Sequence, residues 1–109
     1  MMTLREINNE ISKHERQLAG ERWDTYKNKF LPDFDIALKR MGGGPFSNEK
    51  VAMLKLAALL QYRMGSIAAK KGQQSIPHDL RQEFDNVVRL LGDSYSKLNA
   101  EIKNLHVIR

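Results

Sequence analysis

Residues 47–71, SNEKVAMLKLAALLQYRMGSIAAKK, carry apolar side chains on nearly every side of a helix when set out at about 100° per residue. A helix of that kind has no face to give to water, so it belongs at the centre of a bundle with other helices wrapped around it. The polar residues fall in one narrow sector, Lys55, Arg63, Ser66 and Lys70, interrupted by Leu59. Ser47 or Asn48 can cap the first turn, Lys70 and Lys71 stand at the negative end, and Gly72 stops the helix, which sets its span at 48–71.

The rest of the chain must supply the wrapping. Leu4, Ile7, Ile11, His14 and Leu18 recur at steps of three and four, behind Thr3 as N-cap and Glu6 in the capping-box position. Gly20 interrupts that stripe, and Trp23, Tyr26, Phe30 and Phe34 resume it, with Pro32 set to kink the helix or start a new one. The pattern predicts helices over 3–30 and 33–40. Toward the C-terminus, Pro77 suits a first helical turn and Asp79 its positive end. Phe84, Val88, Leu91, Tyr95, Leu98, Ile102 and Leu105 then follow steps of four and three, a heptad seam that predicts one helix over 77–106. Such a helix would extend about 45 Å, whereas a compact domain of this size is ~34 Å across, so a projecting or shared arm is expected. The flanking Ser94, Asn99, Glu101 and His106 offer few complementary charges, so a parallel zipper is weakly specified and pairing with the N-terminal helix is equally compatible. No strand-like alternation competes. The expectation is an all-α single domain, residues 1–109, built as a small bundle of three to four helices with a long C-terminal helix.

Charge is unevenly placed. Residues 39–71 hold seven basic side chains against one acidic, while the segments on either side are close to balance, so the overall +5 resides in the middle third. The chain has no cysteine, which excludes a disulfide framework, a thiolate metal site and a cysteine nucleophile. The polar start MMTLREINNEISKHER does not read as a secretory leader, and no apolar run would cross a bilayer. A cytoplasmic, membrane-free location is the expectation.

The segment MGGGP, 41–45, invites a phosphate-loop reading and fails it: the glycine spacing and the lysine–hydroxyl pair are absent, and Pro45 removes an amide donor. A hinge at Gly42, Gly43 and Gly44 explains it. Arg22, Lys27 and Lys29 alternate with Trp23, Tyr26 and Phe30, but the aromatics share a face and read as core; Met41, Met53 and Met64 read the same way. His14 stands one turn from Glu10, short of a metal ligand set, and no nucleophile or acid–base pair is announced. No metal, cofactor or small-molecule substrate is expected, and no enzymatic activity.

These features predict a non-enzymatic adaptor, regulatory or assembly protein that acts through helix-mediated association with a protein partner and forms a homodimer. Leu4, Ile7, Ile11 and Leu18 together with Val88, Leu91, Tyr95, Leu98, Ile102 and Leu105 would supply the contact surface. The alternative is a nucleic-acid-binding accessory protein in which Lys55, Arg63, Lys70 and Lys71 of the basic middle third meet phosphates.

Overall fold

The computed structural model describes residues 2–18, 20–42 and 44–108. Among these the ordered elements are all helical: α1 (Leu4–Arg16), α2 (Glu21–Thr25), a π turn (Tyr26–Phe30), α3 (Leu31–Arg40), α4 (Asn48–Lys71), a 3₁₀ turn (Gln73–Ser75), α5 (His78–Leu91) and α6 (Asp93–Ile108). Because α2, the π turn and α3 follow one another without a gap, the bundle has five helical rods among the described residues, one or two more than the periodicity predicts.

The central helix is as expected. α4 buries Ala52, Met53, Leu54, Leu56, Ala57, Ala58, Leu59, Leu60 and Met64, so its buried positions go all round the axis in its first four turns. Ser47 caps it by accepting from the Lys50 amide at 3.1 Å, and Gly72 ends it. α1, α5 and α6 all pack on it, and α3 packs on α6. At its start, α1 carries the full capping box, with Thr3 and Glu6 each accepting the other's amide.

Three differences from the sequence expectation have local causes. The span 3–30 is not one helix. α1 stops at Arg16, and Gly20, at φ +59 and ψ −130, turns the chain before α2 begins. Pro32, conversely, breaks nothing. The π turn just before it shifts the backbone pairing by one residue, so the Leu31 amide donates to the Tyr26 carbonyl five positions back. A proline nitrogen then falls where the ladder is already offset, and the helix runs on to Arg40.

The third difference is at Gly92, which ends α5 at φ +59 and ψ −135 and divides the predicted 77–106 helix in two. Among the described residues no arm projects. The molecule measures 37 × 36 × 22 Å, its longest dimension close to the length α4 itself requires at ~1.5 Å per residue. A Cβ at position 92 would meet no atom within 4 Å, so the glycine is needed for its backbone angle rather than for space. Gly92→Ala should lower stability by about 1–3 kcal/mol, the cost of holding a side chain at positive φ outside the left-handed helical region, read as a reduced midpoint in denaturant at unchanged slope.

Between α3 and α4, Gly42 and residues 44–47 are irregular, with Gly42 at φ +70; Gly43 of the expected hinge lies outside the described residues.

Candidate functional site

The ten residues expected to form an association surface are all drawn into this one chain. Ile7, Ile11, Leu18, Leu91, Tyr95, Leu98 and Leu105 are buried in its core, and Leu4, Val88 and Ile102 are half-buried against it. The N- and C-terminal stripes do not mainly face each other: α1 lies on α4, and α6 on α3 and α4. The basic stripe is likewise divided. Lys70 and Lys71 are exposed at the end of α4, but Lys55 is half-buried and Arg63 is engaged inside the bundle. Ser66, from the same sector, accepts Arg22 of α2 on its carbonyl at 3.4 Å, and Tyr62 donates back to the Arg22 carbonyl at 3.3 Å.

Arg63 belongs to a polar cluster joining α1, α4 and α5. His14 is 3% exposed. The Arg63 guanidinium donates to its Nδ1 at 2.6 Å, and its Nε2 faces Glu83 Oε1 at 3.0 Å and Glu10 Oε2 at 3.8 Å. Arginine can only donate, so Nδ1 accepts and the ring proton sits on Nε2, pointing at the carboxylates. That bond holds the Glu83 carboxyl below its ordinary range, against the opposing effect of its burial. Desolvation also lowers Arg63 from its usual value.

One ligand atom from each of Glu10, His14 and Glu83 falls within 4.8 Å of the others, a spacing a metal ion would accept. The donor chemistry does not fit one. While Arg63 occupies Nδ1, Nε2 keeps its proton and has no lone pair to give. The cluster is a hydrogen-bonded strut. Sequence spacing shows Glu10 one turn from His14; Arg63 and Glu83 are 49 and 69 residues away from His14, and nothing local announces them.

Above this strut runs a groove of about 630 Å³ between α1 and α5. Glu6, Glu10, Asp79 and Glu83 line it, with no lysine or arginine among its lining residues; Lys13 stands beside it, 3.7 Å from Glu10. Met2, Val87 and Leu90 form its apolar part, and Leu90 is 57% exposed, the most exposed large apolar side chain among the described residues. An acidic groove on a chain of net charge +5 is not visible in a count of charges, because Glu6 and Glu10 come from one end of the sequence and Asp79 and Glu83 from the other.

A second concavity, of about 360 Å³, opens between the π turn, α3, α4 and α6. Its apolar wall includes Phe30, Phe34, Ala58, Tyr62 and Ile102. Phe30 stacks on buried Tyr26 at 5.0 Å between centroids and tilts against Tyr62 at 5.2 Å. Of the face expected to be core for Trp23, Tyr26 and Phe30, Tyr26 is buried and Phe30 half-buried, but Trp23 is 39% exposed. The Tyr26 hydroxyl donates to Glu15 and the Tyr95 hydroxyl to Gln61, and desolvation raises both phenols, so both stay protonated donors. Asp33 reaches the pocket wall at only 6% exposure.

No helix among the described residues is long and apolar enough to cross a membrane. Comparison with known protein families, with characterised proteins and with solved structures found no match.

Proposed function

We propose that the protein is a non-enzymatic adaptor that docks a basic, amphipathic helix of a protein partner in the groove between α1 and α5. One observation carries the reading: four carboxylates and the exposed Leu90 share a single groove free of lining lysine or arginine. A helix laid in such a groove would place leucine-type anchors on Met2, Val87 and Leu90 and lysine or arginine along Glu6, Glu10, Asp79 and Glu83. Apolar contact supplies affinity, and charge complementarity supplies orientation and rejects acidic partners. The strut beneath keeps α1 and α5 at a fixed spacing, which limits the rearrangement that docking requires. Self-association through the heptad residues has less to rest on, since those side chains are occupied in the core. Nucleic-acid binding is weakened as a reading for a similar reason: Arg63 is held by His14, which leaves Lys70 and Lys71 as the exposed pair.

The test uses two designed peptides, a Lys/Leu amphipathic helix and its Glu/Leu counterpart, titrated against the labelled protein. The basic peptide should shift amides along α1 and α5 saturably and lose affinity with salt, and the acidic one should not bind. Leu90→Asp should weaken binding about tenfold or more, consistent with the ~1.5–3 kcal/mol that burying a leucine contributes. Equal binding of both peptides, or shifts confined to the end of α4, would contradict the proposal.

A further inference from the structure

We infer that His14 is a proton-operated switch on the α1/α5 groove: when its ring takes up a second proton, Arg63 is expelled from Nδ1 and the groove loses affinity for a basic helix. The inference rests on the docking proposal and adds its regulation.

The switch follows from which atoms carry hydrogen. At Nδ1 the ring accepts from Arg63 at 2.6 Å, and at Nε2 it donates to Glu83 at 3.0 Å. A doubly protonated ring is a donor at both nitrogens, and a guanidinium has no acceptor to offer it. Two donors cannot stay 2.6 Å apart, so the ring keeps Glu83 and gives up Arg63. The structure provides somewhere for the guanidinium to go. A cavity of about 330 Å³ opens beside Arg63, and the exposed Asp79 lines it with a carboxylate.

The charges around the ring favour the second proton. α1 presents Glu10 and Lys13, α4 presents Arg63, and α5 presents Glu83 and Asp79. Three carboxylates therefore face two cations, which leaves one negative charge for an imidazolium to neutralise. Glu10 adds a local reason: its Oε2 is buried without a hydrogen bond and lies 3.8 Å from His14 Nε2. Glu83 is held below the ordinary carboxylate range, so it stays ionised while the ring titrates. The proton accordingly enters at Nδ1.

Its effect reaches the groove because the same carboxylates serve both structures. Glu10 and Glu83 are two of the four acids that would meet a docked helix, and Glu83 also walls the cavity beside Arg63. A positive charge on His14 offsets both of them at once, and Arg63 moved onto Asp79 offsets a third. For a unit charge about 10 Å from a docked lysine, at an effective dielectric constant of about 20, the affinity falls about tenfold. Linkage makes the effect reciprocal: a docked basic helix disfavours the imidazolium, so docking releases a proton.

The Lys/Leu peptide is titrated into the full chain between about pH 8 and about pH 5.5, within the interval in which an imidazole exchanges its proton. Wild-type affinity should fall about tenfold across that range. The ring nitrogen signals of His14 should titrate at lower pH in the peptide complex than in the free protein. His14→Gln keeps both bonds, its amide oxygen accepting from Arg63 and its amide nitrogen donating to Glu83, and it cannot take up the proton. Its affinity should match wild type at the upper pH and stay there at the lower one. His78→Gln, which removes the exposed histidine next to Asp79, should retain the wild-type decline. If His14→Gln does not fold, the ring titration in free and peptide-bound wild-type protein decides. No binding at the upper pH would refute docking and the switch together. Binding that persists unchanged at the lower pH, or an equal decline in His14→Gln, would overturn the switch alone.

Discussion

Leu98→Asp combined with Ile102→Asp should leave the chain without a cooperative thermal transition. Leu98 is completely buried, on a helix packed against both α3 and α4, and Ile102 lies half-buried one turn further on. Truncating such a leucine to alanine typically costs about 2–5 kcal/mol. A carboxylate in its place adds several kcal/mol of uncompensated desolvation, and the total stability available to a small domain is about 5–15 kcal/mol. The double variant therefore exceeds what the fold can absorb, whereas Leu98→Ala alone should remain folded with a lowered midpoint. Circular dichroism melts with sedimentation of each variant check both statements. If the double variant instead stays folded and changes only from dimer to monomer, the seam serves two chains rather than one, and the placement of α6 against α3 and α4 is wrong in solution.

What could be read from the sequence differs between elements for physical reasons. The span and central position of α4 were legible, because an all-round apolar pattern admits only such a place and Gly72 ends it; the choice of Ser47 over Asn48 as its cap, and the half-burial of Lys55, Arg63 and Ser66 in its polar sector, were not, since both depend on what packs around the helix. The heptad series from Val88 to Leu105 was legible as apolar periodicity but misleading about continuity. Gly92 occupies a position between the seam residues Leu91 and Tyr95, so nothing in the stripe records that the backbone turns there; only its φ of +59 does. Pro32 misled in the opposite direction, since its effect depends on the hydrogen-bond register of the preceding turn, which periodicity does not encode. The site residues were the least legible. Glu10 and His14 are visible as neighbours, but Arg63 and Glu83 join them only through the packing of three helices.

His14→Ala tests whether the buried strut holds α1, α4 and α5 together. The imidazole is the shared partner of the Arg63 guanidinium at 2.6 Å and the Glu83 carboxylate at 3.0 Å, so its removal leaves a donor and an acceptor facing a void. A loss of about 1–3 kcal/mol for each group left unpaired is expected at neutral pH. The acid limb supplies an independent signature. Glu83 titrates below its ordinary value of 4.5 in the folded protein, chiefly because His14 donates to its ionised form. Its contribution is therefore fully present above the unfolded value and is lost as the pH falls through the lower folded one, because the unfolded chain takes up the proton first. Wild-type stability should thus decline below about pH 4.5 with a component that is reduced in His14→Ala, since without the imidazole the largest cause of the lowering is gone. Denaturant midpoints measured between pH 7 and pH 3 should show the two proteins converging as the pH drops. Parallel curves over that range would mean that Glu83 gains nothing from His14 on folding. The same titration on Arg63→Met separates the two sides of the ring: it removes the donor to Nδ1 but leaves the bond from Nε2 to Glu83, so it should lower stability at neutral pH while keeping the acid-side decline.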